Sequence, residues 1–113
     1  MGSICSNHVK ISQHINHRQW EIEDSKEEEI GKILDEVLDF IDNERKKGHN
    51  VLIHCVAGIS RSAAVISAYL MWKNGWNFEK SQAYLMEKRA FVKINSGFEN
   101  ELKKYLKKEK SKL

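Results

Sequence analysis

A histidine, a thiol and a guanidinium stand close together in His54-Cys55-Val56-Ala57-Gly58-Ile59-Ser60-Arg61-Ser62. A cysteine attacks only as thiolate, and a phosphate dianion is held only where N–H groups and cations face it together. This stretch can supply both conditions. Val51-Leu52-Ile53-His54-Cys55 is a short apolar run after Gly48-His49-Asn50 and reads as a buried strand. A helix is predicted from Arg61 to about Lys73, so residues 56–60 form the turn between them. The backbone N–H groups of that turn and the helix N-terminus converge on one point and make a nest for a dianion. Gly58 leaves out a side chain where backbone must approach a ligand. Arg61 adds a planar fork of donors matched to two phosphate oxygens. The same positive potential favours the thiolate of Cys55 over the free thiol, whose pKa is about 8.5. A thiolate on the floor of such a nest can attack phosphorus in line and form a phosphocysteine.

The elements that must hold this turn are legible on both sides of it. Ser25 followed by Glu28 has the form of a capping box, and Glu27, Glu28 and Glu29 favour a helix N-terminus there. Ile30, Ile33, Leu34, Val37, Leu38 and Ile41 recur at helical spacing, which predicts a helix running to about Lys47 and stopped by Gly48. Ala63, Ala64, Val65, Ile66, Ala68, Tyr69, Leu70 and Met71 make the second helix apolar nearly all round, which suits the middle of a core. Asn74-Gly75 ends it. Asn77 can cap a third helix reaching about Arg89, and Ser96 with Glu99 reads as a capping box for a fourth, carrying Phe98, Leu102, Tyr105 and Leu106. Residues 1–24 are polar and weakly patterned, with short candidate strands at Ser3–Ser6 and Gln19–Ile22.

Composition sets the bounds. With 113 residues the chain is one domain, 1–113, in which 1–17 is a weakly patterned lead-in and 108–113 a basic tail. Apolar residues make up 41% and charged residues 31%, a globular balance. No stretch approaches the roughly 20 apolar residues that span a bilayer, and no basic-then-apolar secretory leader opens the chain. The net charge of +3 suits anionic substrates without demanding them, and nothing in the pattern asks for nucleic acid. Cys5 and Cys55 lie in different contexts, which argues against a disulfide framework and for a reducing, cytoplasmic setting. Cys5, His8, His14 and His17 are spaced too irregularly for a metal site and read as scattered surface residues.

HCxxxxxRS resembles the signature loop of the cysteine-based protein phosphatases, and His54-Cys55-Val56-Ala57-Gly58-Ile59-Ser60-Arg61-Ser62-Ala63 is similar to the dual-specificity branch in particular. Phe40-Ile41-Asp42 before the strand, Ala68-Tyr69-Leu70-Met71 after the loop, and Asn95-Ser96-Gly97-Phe98 resemble that branch too, so the likeness covers roughly residues 18–107. It implies an α/β domain with a small, mainly parallel sheet flanked by helices, the signature loop lying between a buried strand and a helix. It implies two-step hydrolysis of phosphotyrosine, and of phosphoserine or phosphothreonine, in protein substrates, with no metal or organic cofactor.

Under that resemblance Cys55 is the nucleophile and Arg61 the phosphate clamp, with Val56, Ala57, Gly58, Ile59 and Ser60 completing the phosphate-binding loop. His54 orients the loop, and Ser62 gives the sulfur a hydrogen bond that eases its departure. The general acid is expected on a separate upstream segment, and Asp24, 31 positions before Cys55, is the candidate, with Glu23 as its understudy. Asp35, Asp39 and Asp42 fall inside the first helix and read as ordinary surface charges. Asn95 matches the asparagine that braces the loop, although Ile94 stands where a proline is common.

The family carries strands and a short helix ahead of the segment that residues 1–6 resemble, so a sheet of three or four strands with an exposed edge is expected here. A second copy could pair along such an edge. The rival function is a phosphopeptide-binding module that keeps the cradle and turns over poorly, but a pure binder has no need of Cys55. RNA and lipid phosphatases tend to carry basic residues within the loop, and Val56, Ala57 and Ile59 supply none. The termini point in two directions. Met1-Gly2-Ser3-Ile4-Cys5-Ser6 fits N-myristoylation, which would make a membrane a partner only through Gly2, and Ser111-Lys112-Leu113 has the form of a peroxisomal tripeptide, the weaker of the two.

Overall fold

A computed structural model of the chain describes the backbone at residues 2–5, 16–21, 25, 27–54, 60–88 and 93–111. Among the described residues the elements are three strands, β1 (Gly2–Cys5), β2 (Asn16–Gln19) and β3 (Val51–His54), and four helices, α1 (Gly31–Lys46), α2 (Arg61–Asn74), α3 (Phe78–Lys88) and α4 (Ser96–Ser111). The strands lie in the order β2-β1-β3 with both pairings parallel. The register sets Gly2 against Asn16 and Val51, and Cys5 against Gln19 and His54. The segment carrying the lipidation pattern thus supplies the central strand. Among the described strands β3 stands at an edge, with Leu52 57% exposed and Val51 and Ile53 half-buried, so the apolar run read as a buried strand is only partly covered.

β2 ends before the expected second strand has properly begun, because Trp20 has other work. Its indole N–H donates to Glu36 Oε2 at 3.1 Å and its ring meets Phe40 edge-on at 6.0 Å, which turns the chain from the sheet onto α1. Helix α1 also begins later than the capping box at Ser25 predicts. The Glu28 N–H donates to the Ser25 carbonyl at 3.3 Å in a separate turn, and the helix opens after Ile30 with no side-chain cap. Ile30 is fully buried. Burying it is worth about 1.5–3 kcal/mol, more than the roughly 1 kcal/mol a serine cap supplies, so packing sets the boundary.

The other end of α1 behaves as predicted. Gly48 takes φ +80°, its N–H donates to the Arg45 carbonyl at 2.9 Å, and the His49 N–H reaches the Glu44 carbonyl at 3.0 Å, the paired bonds of a Schellman stop. Gly75, at φ +70°, ends α2 with its N–H on the Met71 carbonyl at 3.0 Å. The expected cap of α3 is present: the Lys80 N–H donates to Asn77 Oδ1 at 2.8 Å.

Helix α2 packs against α1, α3, α4 and β3, as its all-round apolar surface requires. Ala63, Ala64, Val65, Ala68 and Met71 meet Leu34, Val37, Leu38 and Ile41 from α1 and Phe98 and Leu102 from α4 in one core. One acidic residue departs from its reading as a surface charge. Asp42 is buried, with Lys46 Nζ 2.9 Å from Oδ2 and Lys73 Nζ 2.9 Å from Oδ1, so it bridges α1 to α2. Asp39 is exposed as expected, and Asp35 accepts a hydrogen bond from the Tyr105 hydroxyl.

Candidate active site

The flanks of the signature loop fall where its chemistry requires. β3 ends at His54, one residue before Cys55, and α2 opens at Arg61. Strand and helix pack on each other. Arg61 stands in the first turn of a 14-residue helix, where the positive end of the helix dipole adds to its own charge. Ser62, next to it, is buried. Cys55, Val56, Ala57, Gly58 and Ile59, the acid candidates Asp24 and Glu23, and the side chain of His54 lie outside the described residues.

Ser60 has a more specific part than loop membership. It is 4% exposed, its carbonyl accepts the Ala64 N–H at 2.8 Å to begin α2, and its hydroxyl does not cap that helix. The Oγ instead accepts the backbone N–H of Asn95 at 3.1 Å. Asn95 in turn caps α4, its Oδ1 accepting the Phe98 N–H at 2.8 Å. The expected cap at Ser96 is therefore displaced by one residue, and Glu99 pairs with Lys103 at 2.8 Å instead of closing a box. The amide nitrogen of Asn95 donates to the Ser25 carbonyl at 3.4 Å.

Three stretches far apart in sequence meet at this asparagine: the end of the signature loop, the start of α4, and the residue that follows Asp24. Ile94, 7% exposed, and Phe98, fully buried, seat it in the core from either side. The meeting at Asn95 was legible only as a single residue of a resemblance. The acceptor on Ser25 is a backbone carbonyl, which no side-chain pattern signals.

A strand ending at His54, one residue before Cys55, and a helix opened by Arg61 are the flanks that the motif demands. Residues 2–108 match the family described as dual specificity phosphatase, catalytic domain. The chain belongs to this family. Dual specificity protein phosphatase 5 of Homo sapiens is 38% identical over 92 residues, which cover 81% of this chain and 24% of that protein. Tyrosine-protein phosphatase yvh1 of Schizosaccharomyces pombe is 37% identical over 89 residues, covering 79% of this chain and 27% of that one. The chain thus spans about a quarter of the length of these two relatives.

Among solved structures, a human tyrosine phosphatase-like serine/threonine/tyrosine-interacting protein superposes with a TM-score of 0.89 at 31% identity, over 96% of this chain and 77% of the other. Human DUSP28 gives a TM-score of 0.91 at 22% identity, over 99% and 80%, and supports the fold alone. The fold is common to this chain and both of these structures. Among the described residues of this member, no helix is long and apolar enough to cross a membrane.

Proposed function

We propose that this domain removes phosphate from phosphotyrosine, and from phosphoserine or phosphothreonine, in protein substrates through a phosphocysteine on Cys55. The observation that carries the reading is the dual specificity catalytic-domain match across residues 2–108 on a chain that holds His54-Cys55 and Arg61-Ser62 at the family spacing. In the first step the Cys55 thiolate attacks phosphorus while the bond to the substrate oxygen breaks, and Asp24 gives that oxygen its proton. Arg61 and the N–H groups of residues 56–61 hold the equatorial oxygens and take up their growing charge. In the second step the Asp24 carboxylate accepts a proton from water as the water attacks phosphorus, and the Cys55–phosphorus bond breaks to release inorganic phosphate. The Ser62 hydroxyl steadies the departing thiolate. Nucleophile, clamp and acid all come from the chain, so the reading needs no metal or organic cofactor.

The whole chain is read as one catalytic domain, and a working thiolate suits the reducing cytoplasm. The test is phosphate release from phosphotyrosine and phosphothreonine peptides in EDTA, by the parent, Cys55→Ser and Asp24→Asn. Expected are turnover by the parent, none by Cys55→Ser, and a loss of about 10²–10⁴-fold in Asp24→Asn. A parent that binds these peptides and never releases phosphate would make the domain a phosphopeptide reader instead.

A further inference from the structure

The ends of α1 and α2, the second half of α4 and the starts of β1 and β3 meet at the end of the domain away from the signature loop. Helix α2 leaves the loop at Arg61 and runs to Asn74, where Lys73 joins the end of α1 through Asp42. Helix α4 starts beside Ser60 and by Lys103 has reached Phe78, just past the end of α2, with Lys103 Nζ 5.4 Å from the centroid of that ring. After α1 the chain turns at Gly48 into β3, whose Val51 is in register with Gly2 of β1. We infer that this end of the domain is a docking surface for an anionic lipid bilayer, which leaves the signature loop facing away from the lipid. The inference does not rest on the reaction assigned above.

What this end presents to solvent is cationic and aromatic. Lys46, Lys47, Lys73, Lys80 and Lys104 are all exposed. The carboxylates nearest the first three are buried beneath them: Asp42 lies under Lys46 and Lys73, and Glu44 under Lys47, 3.9 Å away. The exposed Glu79 turns instead to Lys103, which Glu99 also holds. Two indoles stand beside these cations. Trp72 is 39% exposed, with Lys73 Nζ 5.6 Å from its ring centroid. Trp76 is half-buried, with Lys80 Nζ at 4.9 Å and the exposed Tyr84 ring at 5.4 Å. Lysines at helix ends answer the helix dipole, but the dipole asks for no aromatic rings. Indole and phenol rings settle where lipid meets water, and lysines beside them meet anionic headgroups.

A peptide takes its contacts from a groove or a free strand edge, and rings at helix ends are neither. Nucleic acid also answers to lysines and rings, and here the acylation pattern decides for lipid. That pattern opens β1 at Gly2, at this same end of the domain. One acyl chain binds a membrane only marginally and needs a second signal such as a basic patch. The fold sets the two together, and it turns the signature loop toward phosphoproteins in solution rather than toward lipid headgroups.

The test is co-sedimentation of the unacylated chain with phosphatidylcholine vesicles that hold either no phosphatidylserine or about 30% of it. At about 0.1 M salt, where the Debye length is about 10 Å, the chain should bind the anionic vesicles and leave the neutral ones. Its tryptophan emission should move to the blue as the indoles leave water. At about 1 M salt, where that length is about 3 Å, binding should fall. Each lysine near such a surface multiplies partitioning about fivefold, so Lys80→Glu combined with Lys104→Glu should weaken it by about 25-fold or more. The same variant should keep the parent's melting temperature, which reports an intact fold. Equal binding to both vesicle types, no binding to either, unchanged binding in the double variant, or emission that does not move would each overturn the inference. Tighter binding to polyuridylate than to the anionic vesicles at the same salt would overturn it in favour of a nucleic-acid surface.

Discussion

In the proposed reaction Arg61 combines two roles that a lysine could not combine. It opens α2, and it offers a planar fork whose N–H groups match two phosphate oxygens at once. Lysine would keep the charge and lose the fork. Arg61→Lys is therefore expected to keep phosphate affinity in part while kcat/KM falls by about 10²–10³, the cost typical of removing a donor aimed at transition-state charge. Parental kcat/KM in this variant would mean that charge alone suffices there. The signature loop could be proposed from the sequence because its chemistry requires its residues to be contiguous. The Asn95 contacts were not, since they cross 35 and 70 positions and one of them ends on a main-chain oxygen. Asp42 was misread for a related reason: a polar residue in a helix reads as exposed until a neighbouring helix brings Lys73 to it.

At the scale of elements, helix ends divide into those set by a side chain and those set by packing. Asn77 belongs to the first kind, with Oδ1 accepting the Lys80 N–H at 2.8 Å ahead of α3. Ser25 does not, because α1 starts six residues later, behind fully buried Ile30. Asn77→Ala should cost about 1 kcal/mol, which lowers Tm by about 4–8 °C in a domain near this size. Ser25→Ala keeps the carbonyl that Glu28 and Asn95 use, and should change stability by no more than about 0.5 kcal/mol. Thermal unfolding of the pair checks both, and a comparable loss in Ser25→Ala would restore the capping box. Helix periodicity, the glycine stops at Gly48 and Gly75 and the strand before Cys55 were all legible, since local pattern decides them. The start of α1 and the early end of β2 were not, because tertiary burial of Ile30 and Trp20 outweighs the local signal.

Across the whole molecule, the stability of the site's frame depends on how firmly α1 and α2 are joined, since α2 carries Arg61 and touches every other helix. Asp42 is a polar tie between them. Hydrogen bonds from Lys73, and then from Lys46, hold its carboxyl below its ordinary value of 3.8. The Lys73 ammonium is pushed above 10.5 mainly by its hydrogen bond to Asp42. A carboxylate with a depressed folded pKa adds stability that is present above its unfolded pKa and is lost as pH falls through the folded value. A lysine with a raised folded pKa adds stability present below its unfolded pKa and lost as pH rises through the folded one. The tie therefore holds fully across neutral pH and fails at both extremes. Asp42→Asn should unfold at lower urea concentration than the parent at about pH 6, and the gap should be narrower at about pH 3, below the ordinary carboxyl value of 3.8, where folding competes with protonation of the unfolded chain. A gap of the same size at both values would mean that the packing of Asp42, and not its charge, joins the helices, since protonation would then have removed nothing that asparagine lacks.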